Sequence, residues 1–87
     1  MEIRKKIWPE YFDDILSGKK KFELRLNDFK VEEGDTMILE EWNPKTESYT
    51  GRKTEKKVIC VNKFKIDKLF WPKEEIEKKG IQIISLE

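Results

Sequence analysis

The stretch Thr36-Met37-Ile38-Leu39-Glu40-Glu41-Trp42 constrains this chain most. Apolar side chains stand at consecutive positions, so both faces of a strand formed here carry apolar surface, the pattern of a central or barrel strand. "VEEGD" at residues 31–35 reads as the turn before it, and Asn43-Pro44 with the polar run to Gly51 reads as a hairpin loop after it. Beyond the loop, "KTEKKVICVNKF" reads as a long strand with a charged outer end and an apolar inner one.

The flanking elements follow from the same periodicities. "EIRKKI" at residues 2–7 alternates weakly and reads as a short first strand. In "WPEYFDDILSG", Pro9 suits a first helical turn and Tyr11, Phe12, Ile15 and Leu16 recur at helical spacing, with Asp13 and Asp14 on the other side. Gly18 stands where a left-handed cap is expected, and Lys19 to Lys21 lie near the negative end of the helix dipole. Phe22, Leu24 and Leu26 alternate with Lys21, Glu23 and Arg25 as in a strand with one buried face, closed by Asn27-Asp28. "IDKLFWPKEEIEKKG" holds a short helix ended by Gly80, and "IQIISLE" reads as a closing β-branched strand. The expected architecture is α+β and mostly β: one domain over residues 1–87, about five strands and one or two short helices, in a small mixed sheet or partly closed barrel.

Composition narrows the chemistry. Nineteen Lys plus Arg against eighteen Asp plus Glu leave a net charge of +1, so attraction for a polyanion must come from local clusters. Arg4-Lys5-Lys6, Arg52-Lys53 and Lys56-Lys57 are such groups; they are ordinary solvated faces unless their strands lie near a site. With no histidine and one cysteine, the usual ligands of zinc and most transition metals are missing, and "NDFKVEEGD" lacks the spacing of a calcium loop. No metal or other cofactor is therefore expected. Histidine-based triads are excluded, which leaves Lys, Glu, Asp, Tyr, Thr or Arg for any catalysis. Cys60, inside the apolar run Val58 to Val61, reads as an inert buried thiol. There is no apolar run of membrane-spanning length and no signal-peptide core near Met1, so a soluble, cytoplasmic protein with no membrane partner is expected. The sequence leaves the oligomeric state open, a monomer being favoured.

Gly18, Lys20, Glu23 and Arg25 spell GxKxxExR. They are flanked by Pro9-Glu10-Tyr11-Phe12, Ser17-Gly18-Lys19-Lys20, Phe22-Glu23-Leu24-Arg25, Asn27-Asp28, Gly34-Asp35, Leu39-Glu40-Glu41-Trp42, Pro44 and Tyr49-Thr50-Gly51-Arg52. On these blocks, over roughly residues 2 to 62, the sequence resembles the ASCH domain family, small β-barrels related to the PUA fold, and most closely its short phage-like and archaeal-like members. The resemblance implies a PUA-like barrel with a cleft at the motif that binds RNA or a nucleotide-like ligand. Lys20 and Arg25 would contact phosphate or base, Glu23 would orient one of them or accept from a base amino group, and Trp42 and Arg52 would join the binding set.

The alternative is a small hydrolase, since some ASCH relatives remove an acyl group from a modified cytidine and others act as ribonucleases. In the amidohydrolases the pattern resembles GxKxxTxR with a threonine nucleophile. Here Glu23 stands at that position, so Lys20 and Glu23, with Glu40 in support, would have to do acid/base work. A third possibility is an accessory protein that binds a protein partner through a patch around Phe70 and Trp71. The plainer reading of Lys20, Glu23 and Arg25 is a salt-bridged strand face, and that of Trp8 and Trp42 is packing, with Trp71 and Tyr49 better placed to stack on a base. Strict alternation sets Lys20 in phase with Phe22, away from Glu23 and Arg25, so Lys20 is expected to belong to the turn after Gly18.

Overall fold

The computed structural model describes residues 1–84 and Leu86. Its elements are β1 (Glu2–Ile7), α1 (Pro9–Ser17), β2 (Thr36–Asn43), β3 (Ser48–Lys57), a 3-10 turn (Ile66–Lys68) and α2 (Lys73–Lys79). The strands form one sheet in the order β1-β2-β3, with β1 parallel to β2 and β2 antiparallel to β3. The doubly apolar stretch takes the centre, and Ile38 and Leu39, which point to opposite faces, are both buried.

Parallel pairing of β1 with β2 requires a crossover, and residues 8–35 supply it with α1 at its start. Pro9, with its fixed φ, occupies the first turn, and the Phe12 N–H donates to the Trp8 carbonyl at 2.9 Å. Gly18, at φ 84°, ends the helix in the left-handed conformation and donates its N–H to Ile15. The Lys20 N–H then reaches back to the Asp14 carbonyl at 3.0 Å, which keeps Lys20 in the turn. Phe12 and Ile15 lie on one side of α1 and meet Ile7, Met37 and Leu39 of the sheet, with Val58 packed alongside. This is the core.

Several expectations are corrected. Among the described residues the sheet is open and three-stranded, with no closed barrel. Residues 21–26 keep the alternation but form no strand, and Leu24 and Leu26 are exposed rather than in the core, Leu26 at 81%. The physical reason is that a strand needs a backbone partner. The contact between this segment and β1 is made by a side chain instead: Arg25 Nη2 donates to the Lys6 carbonyl at 2.7 Å. β3 ends at Lys57, before the apolar run expected to complete it. There the chain turns back, with Val58 N–H donating to the Asp35 carbonyl and Gly34 N–H to the Val58 carbonyl, each at 2.8 Å. That turn leaves Cys60 exposed, not buried. The expected closing strand is absent over residues 81–84 and at Leu86; Ser85 and Glu87 lie outside the described residues. α2 does end at Gly80. Among the described residues no helix is long and apolar enough to cross a membrane.

Phe12 is 1% exposed at the centre of the core. Its replacement by Ala is expected to cost about 3–5 kcal/mol in urea unfolding, a large part of what a domain this small possesses. Leu26→Ala, at an exposed position, is expected to shift stability by no more than about 0.5 kcal/mol.

Candidate functional site

A buried carboxylate organises the region around the motif. Met37, Leu39 and Glu41 of β2 share the face covered by α1, and Glu41 is only 3% exposed. Arg52 of β3 meets it with a fork: Nε donates to Oε1 at 2.9 Å and Nη2 to Oε2 at 2.7 Å. Arg52 Nη2 also reaches Asp13 Oδ1 on α1 at 2.9 Å, and the guanidinium carbon stands 4.7 Å from the centre of the Phe12 ring. The Thr50 hydroxyl donates to Glu41 Oε1. The Arg52 guanidinium, and after it the Thr50 hydroxyl, hold the Glu41 carboxyl below the usual glutamate range, against a smaller opposing effect of burial.

The Tyr49-Thr50-Gly51-Arg52 block makes this possible. The register passes from Glu40 opposite Lys53 to Trp42 opposite Tyr49, so β3 bulges between those pairs. Gly51, at φ 97°, supplies the left-handed residue such a bulge uses. The bulge lets Arg52 reach Glu41 while Tyr49 still faces Trp42.

The Lys20, Glu23 and Arg25 side chains come together. Glu23 Oε2 accepts from Arg25 Nε at 2.8 Å, and Glu23 Oε1 lies 3.9 Å from Lys20 Nζ. All three are partly buried. Lys20 Nζ sits over the Tyr11 ring at 4.6 Å and near the Phe22 ring at 5.2 Å, so α1 and the following segment both wall the ammonium. Glu23 Oε1 is shielded and has no hydrogen-bond donor.

The other candidates lie apart from this cluster. Glu40 points to the sheet face away from α1 and pairs with Arg4 at 3.9 Å. Trp42 shares that face, edge-on to Tyr49 with ring centres 4.9 Å apart, and the Lys6 ammonium stands 3.8 Å over it. Arg52 is engaged with Glu41 and Asp13. Phe70 and Trp71 are exposed, Phe70 at 95%, and stand edge to face. Nothing in the sequence marks Glu41 over its neighbour Glu40 except phase, since Glu41 continues the Met37, Leu39 series.

A family model described as Domain of unknown function (DUF3850) matches residues 4–70, which takes in most of β1 together with α1, the motif, β2 and β3. The chain belongs to that family. An uncharacterised 12.9 kDa protein in the GpA 3′ region of Escherichia phage P2 is 45% identical over 56 residues, covering 64% of this chain and 50% of that protein. The chain thus spans about half the length of the curated relative it matches. No solved structure matches it.

In this DUF3850 chain the Glu41 site has a direct pH consequence. Its folded pKa lies below the ordinary value of 4.5, so its contribution to stability is full above that value and is lost as the pH falls from there through the lower folded value. Glu41→Gln is expected to lower the melting temperature at neutral pH and to flatten the acid limb of the stability curve. Thermal unfolding followed from neutral pH down to pH about 3 checks both.

Proposed function

We propose that the protein binds RNA or a nucleotide-like ligand at the Lys20-Glu23-Arg25 cluster, as an ASCH-type, PUA-like module. The observation that supports this best is that one partly buried carboxylate gathers two cations of different chemistry, a guanidinium hydrogen-bonded to it and to the β1 backbone and an ammonium 3.9 Å away between two aromatic rings. Cations ordered in advance lose less side-chain entropy when a ligand arrives than free surface lysines do. Arg25 uses Nε on Glu23 and an Nη2 hydrogen on Lys6, which leaves the rest of its five-donor fork for a phosphate. The PUA-like assignment rests on the motif and its flanking blocks, since the sheet is open.

The shielded Glu23 Oε1 without a donor, beside Lys20 Nζ, favours a second reading: a hydrolase of a modified nucleoside or of RNA, with these two groups exchanging protons. Turnover of acylated cytidines or RNA that Glu23→Gln abolishes supports it; no turnover by the wild type removes it.

For the binding reading, the double variant Lys20→Ala with Arg25→Ala is expected to lose about tenfold or more in affinity for short single-stranded and hairpin RNAs. The slope of log affinity against log salt is expected to flatten by less than one for each cation, because both already stand beside the Glu23 carboxylate. Fluorescence anisotropy across a salt series checks this. Unchanged affinity and slope would sink the proposal.

A further inference from the structure

The sheet face turned away from α1 carries a set of side chains that the motif cluster does not use. Arg4 and Lys6 of β1, Glu40 and Trp42 of β2, and Tyr49 of β3 gather there. A cleft of about 320 Å³ opens among Arg4, Lys5, Lys6, Glu40 and Tyr49; Trp42 is not in its lining and adjoins it through its contacts with Lys6 and Tyr49. That volume is at the small end of ligand sites, enough for one base with its sugar. Trp42 and Tyr49 are cross-strand partners whose planes meet at 80°, so together they make a corner with a floor and a wall. The Lys6 ammonium stands over that corner, 3.8 Å from the Trp42 ring centre and 5.7 Å from that of Tyr49. A long, exposed, flexible side chain therefore occupies a π-face that another π-system or cation can take.

We infer that this corner is a base-stacking subsite for single-stranded RNA and that Glu40 makes it prefer bases with an exocyclic amino group. The inference rests on the binding reading above and deepens it. The incoming base stacks on Trp42 against Tyr49 and displaces the Lys6 ammonium, which then meets the phosphate that accompanies the base. Glu40 is partly buried in the cleft wall, and its nearest cation, Arg4, is at 3.9 Å, beyond hydrogen-bond distance. An ionised carboxylate only accepts, so it binds the amino group of cytosine, adenine or guanine and repels the O4 carbonyl of uracil. Arg4 and Lys6 offset its charge toward the strand. The geometry also joins the two halves of the site, because Arg25 of the motif cluster bonds the carbonyl of Lys6 itself.

A different role for the same residues, a packing clamp across β2 and β3, predicts effects on stability and none on base choice. The discriminating experiment uses the full chain with Trp8→Phe and Trp71→Phe, leaving Trp42 as its one tryptophan, titrated with oligocytidylate and oligouridylate of equal length. The expected result is quenching of Trp42 emission and roughly tenfold tighter binding of the cytosine oligomer. Glu40→Gln, nearly isosteric and partly exposed, is expected to bring the two affinities together. Tyr49→Leu is expected to weaken both by roughly tenfold while the protein still melts cooperatively. Equal affinities with unchanged Trp42 emission, in a protein whose binding Lys20→Ala still weakens, would overturn the subsite and leave the motif cluster standing. A cytosine preference that survives Glu40→Gln would overturn the role of Glu40, and no binding of either oligomer would overturn both readings.

Discussion

The pair of Glu41 with Arg52 is the interaction on which the rest of the arrangement depends. A carboxylate almost fully withdrawn from water on the central strand must be matched by a cation and further hydrogen bonds, because leaving it unpaired is strongly destabilising. Arg52 meets that requirement only because β3 departs from regular pairing at Gly51. The same departure sets Tyr49 opposite Trp42 and so builds the aromatic corner on the other face. On the side of the core, the Arg52 bond to Asp13 ties β3 to α1, and α1 carries at its end the Gly18 turn from which Lys20 projects. One ion cluster thus positions both halves of the candidate site, although neither half touches it.

The edges of the sheet explain where the charge goes. β3 is an edge strand, exposed along nearly its whole length, and Lys53, Glu55, Lys56 and Lys57 line its second half. Charges of that density discourage pairing with another strand. β1 is the other edge, and there the chain uses a different device: the segment after Gly18 covers it through the Arg25 guanidinium rather than through a backbone ladder. The motif residues thereby acquire a structural reason to be ordered. Because an ordered Arg25 is fixed by Glu23 and by Lys6 at once, the cluster exists before any ligand arrives.

What the sequence makes legible follows from how local each signal is. Pro9, the spacing of Phe12 and Ile15, and Gly18 lie within one helix, so α1 and the turn that holds Lys20 can be read directly. The central place of β2 is also legible, because two apolar faces require two neighbours. The alternation of residues 21–26 is an equally good pattern, yet whether it becomes a strand depends on a partner that sequence does not name. Cys60 fails for the same reason: Val58 packs on the core, and the turn at Asp35 then carries its neighbours outward. Trp42 and Tyr49 can each be picked out as aromatic candidates, but the bulge that brings them together is visible only in the register.

The charge balance bears on how such a site would hold a nucleic acid. With a net charge of +1 the chain has little long-range pull on a polyanion. Within the site the same balance recurs on a small scale, since Glu23 faces Lys20 and Arg25 while Glu40 faces Arg4. Under the proposed function, each phosphate contact would be made partly at the expense of an existing ion pair, and less counterion release would accompany it than in a strongly basic binder. Affinity would then come from short-range contacts: a base on an aromatic face, a donor on a carboxylate, a guanidinium fork on a phosphate. Such contacts tolerate salt better than bare charge does, and they discriminate between bases, which bare charge cannot do.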